Sequence, residues 1–134
     1  MLAAMMFEFE DSEVAQIQRQ GEALEIRFSA ARLVEGGKSG AGEGLWQPML
    51  LICERIAIDG SGLEAVLASI GRLRYGQLEI QGQRLRSLPS AFESEAAYAL
   101  ELDFANGSGC LLQGRGLRLQ PTGQQCSVQS FQCG

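Results

Sequence analysis

Apolar and polar residues alternate along most of this chain, the period-two pattern of strands with one buried face. Phe7-Glu8-Phe9-Glu10 opens the pattern. Val14 and Ile17, followed by Gln20-Gly21, predict a second strand running into a turn. Ala23-Leu24-Glu25-Ile26-Arg27-Phe28 puts Leu24, Ile26 and Phe28 inward and extends toward Val34. Leu45–Ile58 holds a longer apolar strand, and the unbroken run Met49–Cys53 predicts burial on both faces. Pro48 cannot donate to a ladder, so it belongs among the first residues of this strand or at an edge. Arg72–Leu88 alternates again, with Gly76 and Gly82 as bends or hairpin turns, and Leu88-Pro89-Ser90 ends the run. Residues 90–96 read as a polar loop.

Tyr98–Phe104 carries the cleanest alternation, with Tyr98, Leu100, Leu102 and Phe104 facing one way. Asn106-Gly107 then signals a hairpin. A two-residue loop would pair Leu102 with Leu111 and turn Leu112 to the charged face. One more loop residue pairs Phe104 with Cys110 and Leu102 with Leu112, and keeps the apolar set together. Leu117–Leu119 is a further strand that stops near Pro121. The phrase Gln-Gly-x-x-Leu-charge recurs from Gln20, Gln81 and Gln113, which reads as one strand–turn–strand chemistry used three times. One segment breaks the period. Leu63, Val66, Leu67 and Ile70 fit a helix, with Ser61 and Glu64 as a capping box and Gly71 as the stop.

The pattern predicts an all-β fold: an antiparallel β-sandwich or flattened β-barrel of about eight strands, with one short helix near 62–70. A length of 134 residues fits a single domain. Residues 36–44, Gly-Gly-Lys-Ser-Gly-Ala-Gly-Glu-Gly, form a flexible loop within it, and a polar, cysteine-bearing tail begins near 122.

Composition narrows the function. A net charge of −5 favours solubility and argues against nucleic acid, whose phosphates need a basic face. Met49–Cys53 is far shorter than the ~20 apolar residues of a membrane-spanning helix. Met1–Met6 lacks the basic region and apolar length of a secretion signal, and either Met5 or Met6 can serve as the start. A cytoplasmic location follows, where Cys53 and Cys110 read as small core residues, and Cys126 and Cys133 lie in the tail with their pairing open.

With Ser87-Leu88-Pro89, Leu100-Glu101-Leu102-Asp103-Phe104-Ala105-Asn106-Gly107 and Gly114-Arg115-Gly116-Leu117, the C-terminal half resembles small uncharacterised bacterial all-β proteins. That resemblance implies an antiparallel β fold and a bacterial source. It brings no activity and no site residues.

No known catalytic constellation is present. The chain has no histidine, which removes Ser-His-Asp and Cys-His catalysis and histidine metal sites. Gly37-Lys38-Ser39 lacks the first glycine of a phosphate loop, since Arg32 stands there, and Gly40-Ala41-Gly42-Glu43-Gly44-Leu45 misses the last glycine of the dinucleotide fingerprint. Asn106-Gly107-Ser108 matches a glycosylation acceptor but is explained by the hairpin. The carboxylate pairs Glu8/Glu10, Glu93/Glu95 and Glu101/Asp103 have the spacing of solvated strand faces. No cofactor, catalytic residue or metal ligand is expected.

Charge is segregated. Residues 1–25 hold Glu8, Glu10, Asp11, Glu13, Glu22 and Glu25 against Arg19. Residues 72–88 hold Arg72, Arg74, Arg84 and Arg86 against Glu79. Were their strands to pair, the four arginines would offer a patch for an anionic ligand or acidic partner, against a plainer reading as a solvated face. Trp46 is a candidate interface anchor, although a lone tryptophan at a strand start more often packs into the core. The expected function is therefore a non-enzymatic binding β module, its partner an unknown protein or a second copy. The alternative is a small-ligand carrier or carboxylate-based hydrolase using a barrel cavity, which needs an acid such as Glu101 or Asp103 to point inward.

Overall fold

The computed structural model describes residues 5–35, 45–57 and 60–122. The glycine-rich loop 36–44, with its partial phosphate-loop motif, and the tail carrying Cys126 and Cys133 lie outside the described residues. So does any choice of start before Met5.

Eight antiparallel strands and one short helix follow in the order β1 (Met5–Gln20), β2 (Ala23–Glu35), β3 (Leu45–Cys53), α1 (Gly60–Leu67), β4 (Gly71–Ile80), β5 (Gln83–Leu85), β6 (Ser87–Pro89), β7 (Glu93–Phe104) and β8 (Gly109–Pro121). The sheet runs β5-β4-β7-β8-β3-β2-β1-β6, and β4 also pairs with β1. That extra pairing closes β1-β2-β3-β8-β7-β4 into a six-strand barrel and leaves β5 and β6 outside it. Of the sandwich and barrel alternatives, the barrel is the one adopted. Closure removes the sheet edges that a sandwich would leave open.

The seam that closes the barrel is short. β1 and β4 share only Glu13↔Arg72 and Val14↔Gly71. Beyond them the two strands diverge, and the arm 83–89 bridges the gap: β5 adds to β4, and β6 adds to β1 through Met6↔Pro89, Phe7↔Leu88 and Glu8↔Ser87. Phe9 fills the fork from inside. A Cβ on Gly76 would stand 2.4 Å from the Phe9 Cβ, so a side chain there has no room. Gly76 is thus a close-packing point within β4 rather than the expected bend, whereas Gly82 does form the β4–β5 turn.

Interior positions come from the predicted alternation. Leu24, Ile26 and Phe28 of β2 and Tyr98, Leu100, Leu102 and Phe104 of β7 are all buried. Phe7 meets Phe9 and Phe28 edge to face, with ring centroids 4.9 and 5.1 Å apart. Met49, Leu51, Leu73, Leu78, Leu112 and Leu119 fill the remainder.

Several local expectations are corrected by tertiary structure. Phe7–Glu10 and Val14–Ile17 are one strand, because β1 absorbs register shifts between Glu8 and Gln16 and a positive φ of 74° at Asp11 instead of turning back. Met49–Cys53 alternates between buried and half-buried, since only one face meets the core. Residues 93–96 belong to β7, not to a loop. The helix spans Gly60–Leu67, earlier than predicted, and packs against β1 and β8. Val66 is buried, but Ile70 is exposed and Gly71 opens β4 instead of ending the helix. Of the three Gln-Gly phrases, those at Gln20 and Gln81 are turns, while Gln113-Gly114 lies inside β8.

The β7–β8 register falls between prediction and fact. The strands pair Leu102↔Cys110 and Leu100↔Leu112, two residues from the predicted register but on the same face. The loop is Ala105-Asn106-Gly107, with the Phe104 N–H donating to the Ser108 carbonyl at 2.8 Å. Asn106 holds it: its Oδ1 accepts from the Ser108 N–H at 2.9 Å and the Ser108 hydroxyl at 2.7 Å. Burial constrains which face a residue takes, and both registers satisfy it. The side-chain bonds of the turn decide between them.

Candidate functional site

Strand β3 has two different halves. Met49–Cys53 lies between β2 and β8, paired from Met49↔Pro121 to Cys53↔Leu117 on one side and Phe28↔Met49 to Leu24↔Cys53 on the other. Among the described residues, Leu45–Gln47 pairs with β2 alone, through Leu33, Arg32 and Ala31. Pro48 separates the halves; its carbonyl faces β8, so its missing N–H falls at the end of the β3–β8 ladder and leaves the β2 ladder intact. β8 ends beside it, the Thr122 N–H reaching the Pro48 carbonyl at 3.4 Å. Beyond that point the described residues leave one side of β3 uncovered.

The uncovered stretch is apolar and exposed. Leu45 is 59% and Trp46 51% exposed. The expectation that Trp46 packs into the core is therefore corrected: the alternation along β3 puts it with Leu50 and Ile52 on the outer face, away from Met49, Leu51 and Cys53. Directly opposite Trp46 across the sheet is Arg32, and opposite Arg32 is Glu8. Arg32 Nη1 donates to Glu8 Oε1 at 3.0 Å, with both residues buried. Ser12 ties the same corner together, its hydroxyl donating to the Glu8 carbonyl at 2.6 Å and accepting from the Arg32 N–H at 2.8 Å. Glu8 was expected on a solvated face. Ser87 of β6 covers it instead from the side away from Arg32.

The four arginines are spread along the β4–β5 hairpin. Those strands do pair, but Arg84 stands opposite Glu79, about 23 Å along β4 from Arg72 at ~3.3 Å per residue. Arg72 faces Glu13 at the seam. Arg74 is ion-paired to Asp103 at 2.6 Å. Arg86 lies 4.6 Å over the Tyr75 ring and 3.9 Å from Glu10. Each arginine thus has a carboxylate beside it. Asp103 points outward into its pair with Arg74, and Glu101 is exposed, so neither acid faces the interior.

Two polar grooves lie on the barrel's outside. One, of about 220 Å³, sits at the seam fork and is lined by Glu8, Glu10, Gly76, Arg86 and Ser87. The other, of about 250 Å³, is bounded by Glu54, Arg55, Glu93, Glu95, Arg115 and Arg118. Sequence reasoning missed the second, because its walls come from three separate segments. A signal was present in Gln113-Gly114-Arg115-Gly116. A Cβ on Gly114 would crowd the Tyr98 hydroxyl and the carbonyls of Glu54 and Arg55, at 2.6 to 2.8 Å. The segment after β3 therefore presses onto β8 here. The acids and arginines of this groove balance in number, and Arg118 lies 3.7 Å from Glu54.

Inside the barrel, Cys53 is fully buried and Cys110 half-buried, both as free thiols. Burial pushes the Cys53 thiol up to about 12, opposed in part by its hydrogen bond with Tyr98. Burial likewise raises Cys110 to about 11. The Tyr98 phenol is also pushed above its ordinary value, by burial first and then by Cys53 and Glu54. Its hydroxyl donates to the Glu54 carbonyl at 3.0 Å. At neutral pH these thiols are protonated, and a protonated thiol is a poor nucleophile.

Among the described residues no cluster of cysteine, aspartate or glutamate has metal-site geometry. None of their helices is long and apolar enough to cross a membrane. No protein-family model, curated protein or solved structure matches the chain.

Proposed function

We propose that this chain is a non-enzymatic, protein-binding β module that meets its partner at the start of β3. The observation that carries the reading is the exposure of Trp46, 51%, beside Leu45, 59%, on a stretch of β3 that pairs with β2 alone among the described residues. Tryptophan is the residue type most enriched at binding hot spots, and an uncovered strand supplies main-chain donors and acceptors to an incoming chain. A cytoplasmic location belongs to the same reading, supported by Cys53 and Cys110 as free thiols. The interior is filled with phenylalanine and leucine side chains, so recognition on this reading is a surface event.

The test uses Trp46 twice, since it is the chain's one tryptophan. The wild-type protein and Trp46→Ser are used as baits in extract from the native cell. The expected result is that a captured protein is lost with Trp46→Ser while the melting temperature stays put. The purified partner should also shift Trp46 emission to shorter wavelength. Capture unchanged by Trp46→Ser would overturn the reading.

A further inference from the structure

The barrel is closed by its weakest ladder. β1 and β4 share two residue pairs at the seam, whereas the next shortest of the six ladders, β3–β8, runs unbroken from Met49↔Pro121 to Cys53↔Leu117. Away from the seam β1 and β4 part, and residues 83–89 enter the fork as a V. β5 runs along β4 toward the seam, from Ile80↔Gln83 to Leu78↔Leu85. β6 runs back along β1, from Glu8↔Ser87 to Met6↔Pro89. Arg86 is the point of the V and touches both walls. Its carbonyl accepts from the Phe9 N–H of β1 at a long 3.5 Å. Its guanidinium lies 4.6 Å over the Tyr75 ring of β4 and 3.9 Å from Glu10 of β1.

We propose that this arm is a latch. It leaves the fork as a unit, the two-pair seam parts behind it, and the barrel opens along this one line while its other five ladders stay paired. The inference concerns the seam alone and goes beyond the role proposed for Trp46. Three observations carry it. First, opening here breaks three short ladders, of two, three and three residue pairs, and no long one. Second, the contacts at the point of the V are weak ones. Arg86 and Glu10 are each 59% exposed, and both ion pairs and cation–π contacts are worth little at exposed positions. Third, among residues 83–89 only Leu88 is fully buried, so the arm adds little to the core. Local opening is drawn from units with few buried apolar groups. Behind the latch lie Phe7, Phe9 and Leu78, all buried in the closed form.

Amide hydrogen exchange, followed residue by residue by NMR on the full chain, reads the opening, because neighbouring amides of one strand face opposite ways. The Phe9 N–H faces the arm, so the Phe7 N–H does too, and the Met5 carbonyl agrees by accepting from the Ser90 N–H at 3.2 Å. The Met6 and Glu8 amides face β2 instead. On β4, the turn Gln81-Gly82 has positive φ at both residues, 51° and 77°, so its flanking pair Ile80↔Gln83 exchanges main-chain bonds, and Leu78 faces the same way. The Phe7, Phe9, Leu78 and Ile80 amides are expected to exchange at least about tenfold faster than those of Met6 and Glu8. Arg86→Ala should speed these four by about threefold. Ile26→Val is the control. Ile26 pairs with Ile17 and Leu51, away from the fork, in a part of the barrel that the open form keeps. It should speed the slowest amides of the protein about fivefold and leave the four at their wild-type rates. Exchange of the four as slow as that of Met6 and Glu8 overturns the latch, and so does an equal acceleration of all amides by Ile26→Val.

Discussion

The two halves of β3 are five residues and three residues of one strand, made of similar apolar side chains, yet they sit in opposite environments. Met49, Leu51 and Cys53 are fully buried between two flanking strands, while Leu45 and Trp46 are more than half exposed beside one. Side-chain type does not separate them. What differs is facing for Trp46, which shares the outer face with Leu50 and Ile52, and, for Leu45, that β2 alone among the described residues pairs at its height. The inner half is held by apolar burial. Among the described residues the outer half is held by one ladder, with the Glu8–Arg32 pair and Ser12 fastening the strand behind it. A strand can thus pass from two-sided to one-sided pairing among the described residues across a single proline.

Substitutions can break this contrast, and the largest effect belongs to the inner half. Leu51→Ala leaves a cavity in the filled interior and should cost about 3 kcal/mol in a denaturant unfolding experiment. Leu45→Ala, six residues away, should stay within about 0.5 kcal/mol. Near-equal losses would show that the halves do not differ in packing.

Next comes the fastening behind the outer half. Glu8→Ala strands Arg32 in a corner where the side chains keep 8% and 10% exposure, and should cost about 2 kcal/mol. Asp103→Ala removes the partner of Arg74, whose side chain is 64% exposed, and should cost at most about 0.5 kcal/mol. Equal effects in chemical denaturation would mean that burial does not set the value of these pairs.

The alkaline limb of stability probes the closed end of β3. In the unfolded chain Cys53 ionises near its ordinary value of 9.0, whereas in the fold it holds its proton to about 12. Between these values the unfolded state binds fewer protons, so stability is intact below pH 9 and falls as pH rises toward 12. The slope approaches about 1.4 kcal/mol per pH unit for each such group. Tyr98, shifted in the same direction, adds to the decline. Cys53→Ser should flatten the fall in melting temperature between pH 9 and 11, and an unchanged slope would show that this thiol is not the source. The smallest effect is reserved for Trp46→Ala, which should move folding stability by less than about 0.5 kcal/mol in the same denaturant experiment.

Much of the architecture was legible along the chain. Strand existence and facing could be read from Ala23–Phe28 and Tyr98–Phe104, because burial on one face imposes a period of two that no other element shares. The hairpin at Asn106-Gly107 and the need to keep Leu102 and Leu112 on one face were equally readable. Absolute register was not, since a two-residue slip preserves facing, and the turn closes through bonds such as Asn106–Ser108 and Phe104–Ser108 that the apolar pattern does not encode. The unity of β1 was hidden for a related reason: a bulged strand and two strands with a turn place similar residues in sequence. Trp46 was legible as a candidate anchor, but its environment was not.

By itself, then, the sequence determined an antiparallel β fold, the inward set of side chains and the missing histidine chemistry, since these depend on residue type and near-neighbour period. Tertiary structure alone decided that the sheet closes, through two residue pairs between β1 and β4. It also separated Arg72, Arg74, Arg84 and Arg86 and gave each a carboxylate neighbour. Last, it decided the height at which the β3–β8 ladder reaches Pro48. Where one strand stops relative to another is set by the relative heights of distant segments in the barrel, and no local pattern encodes that.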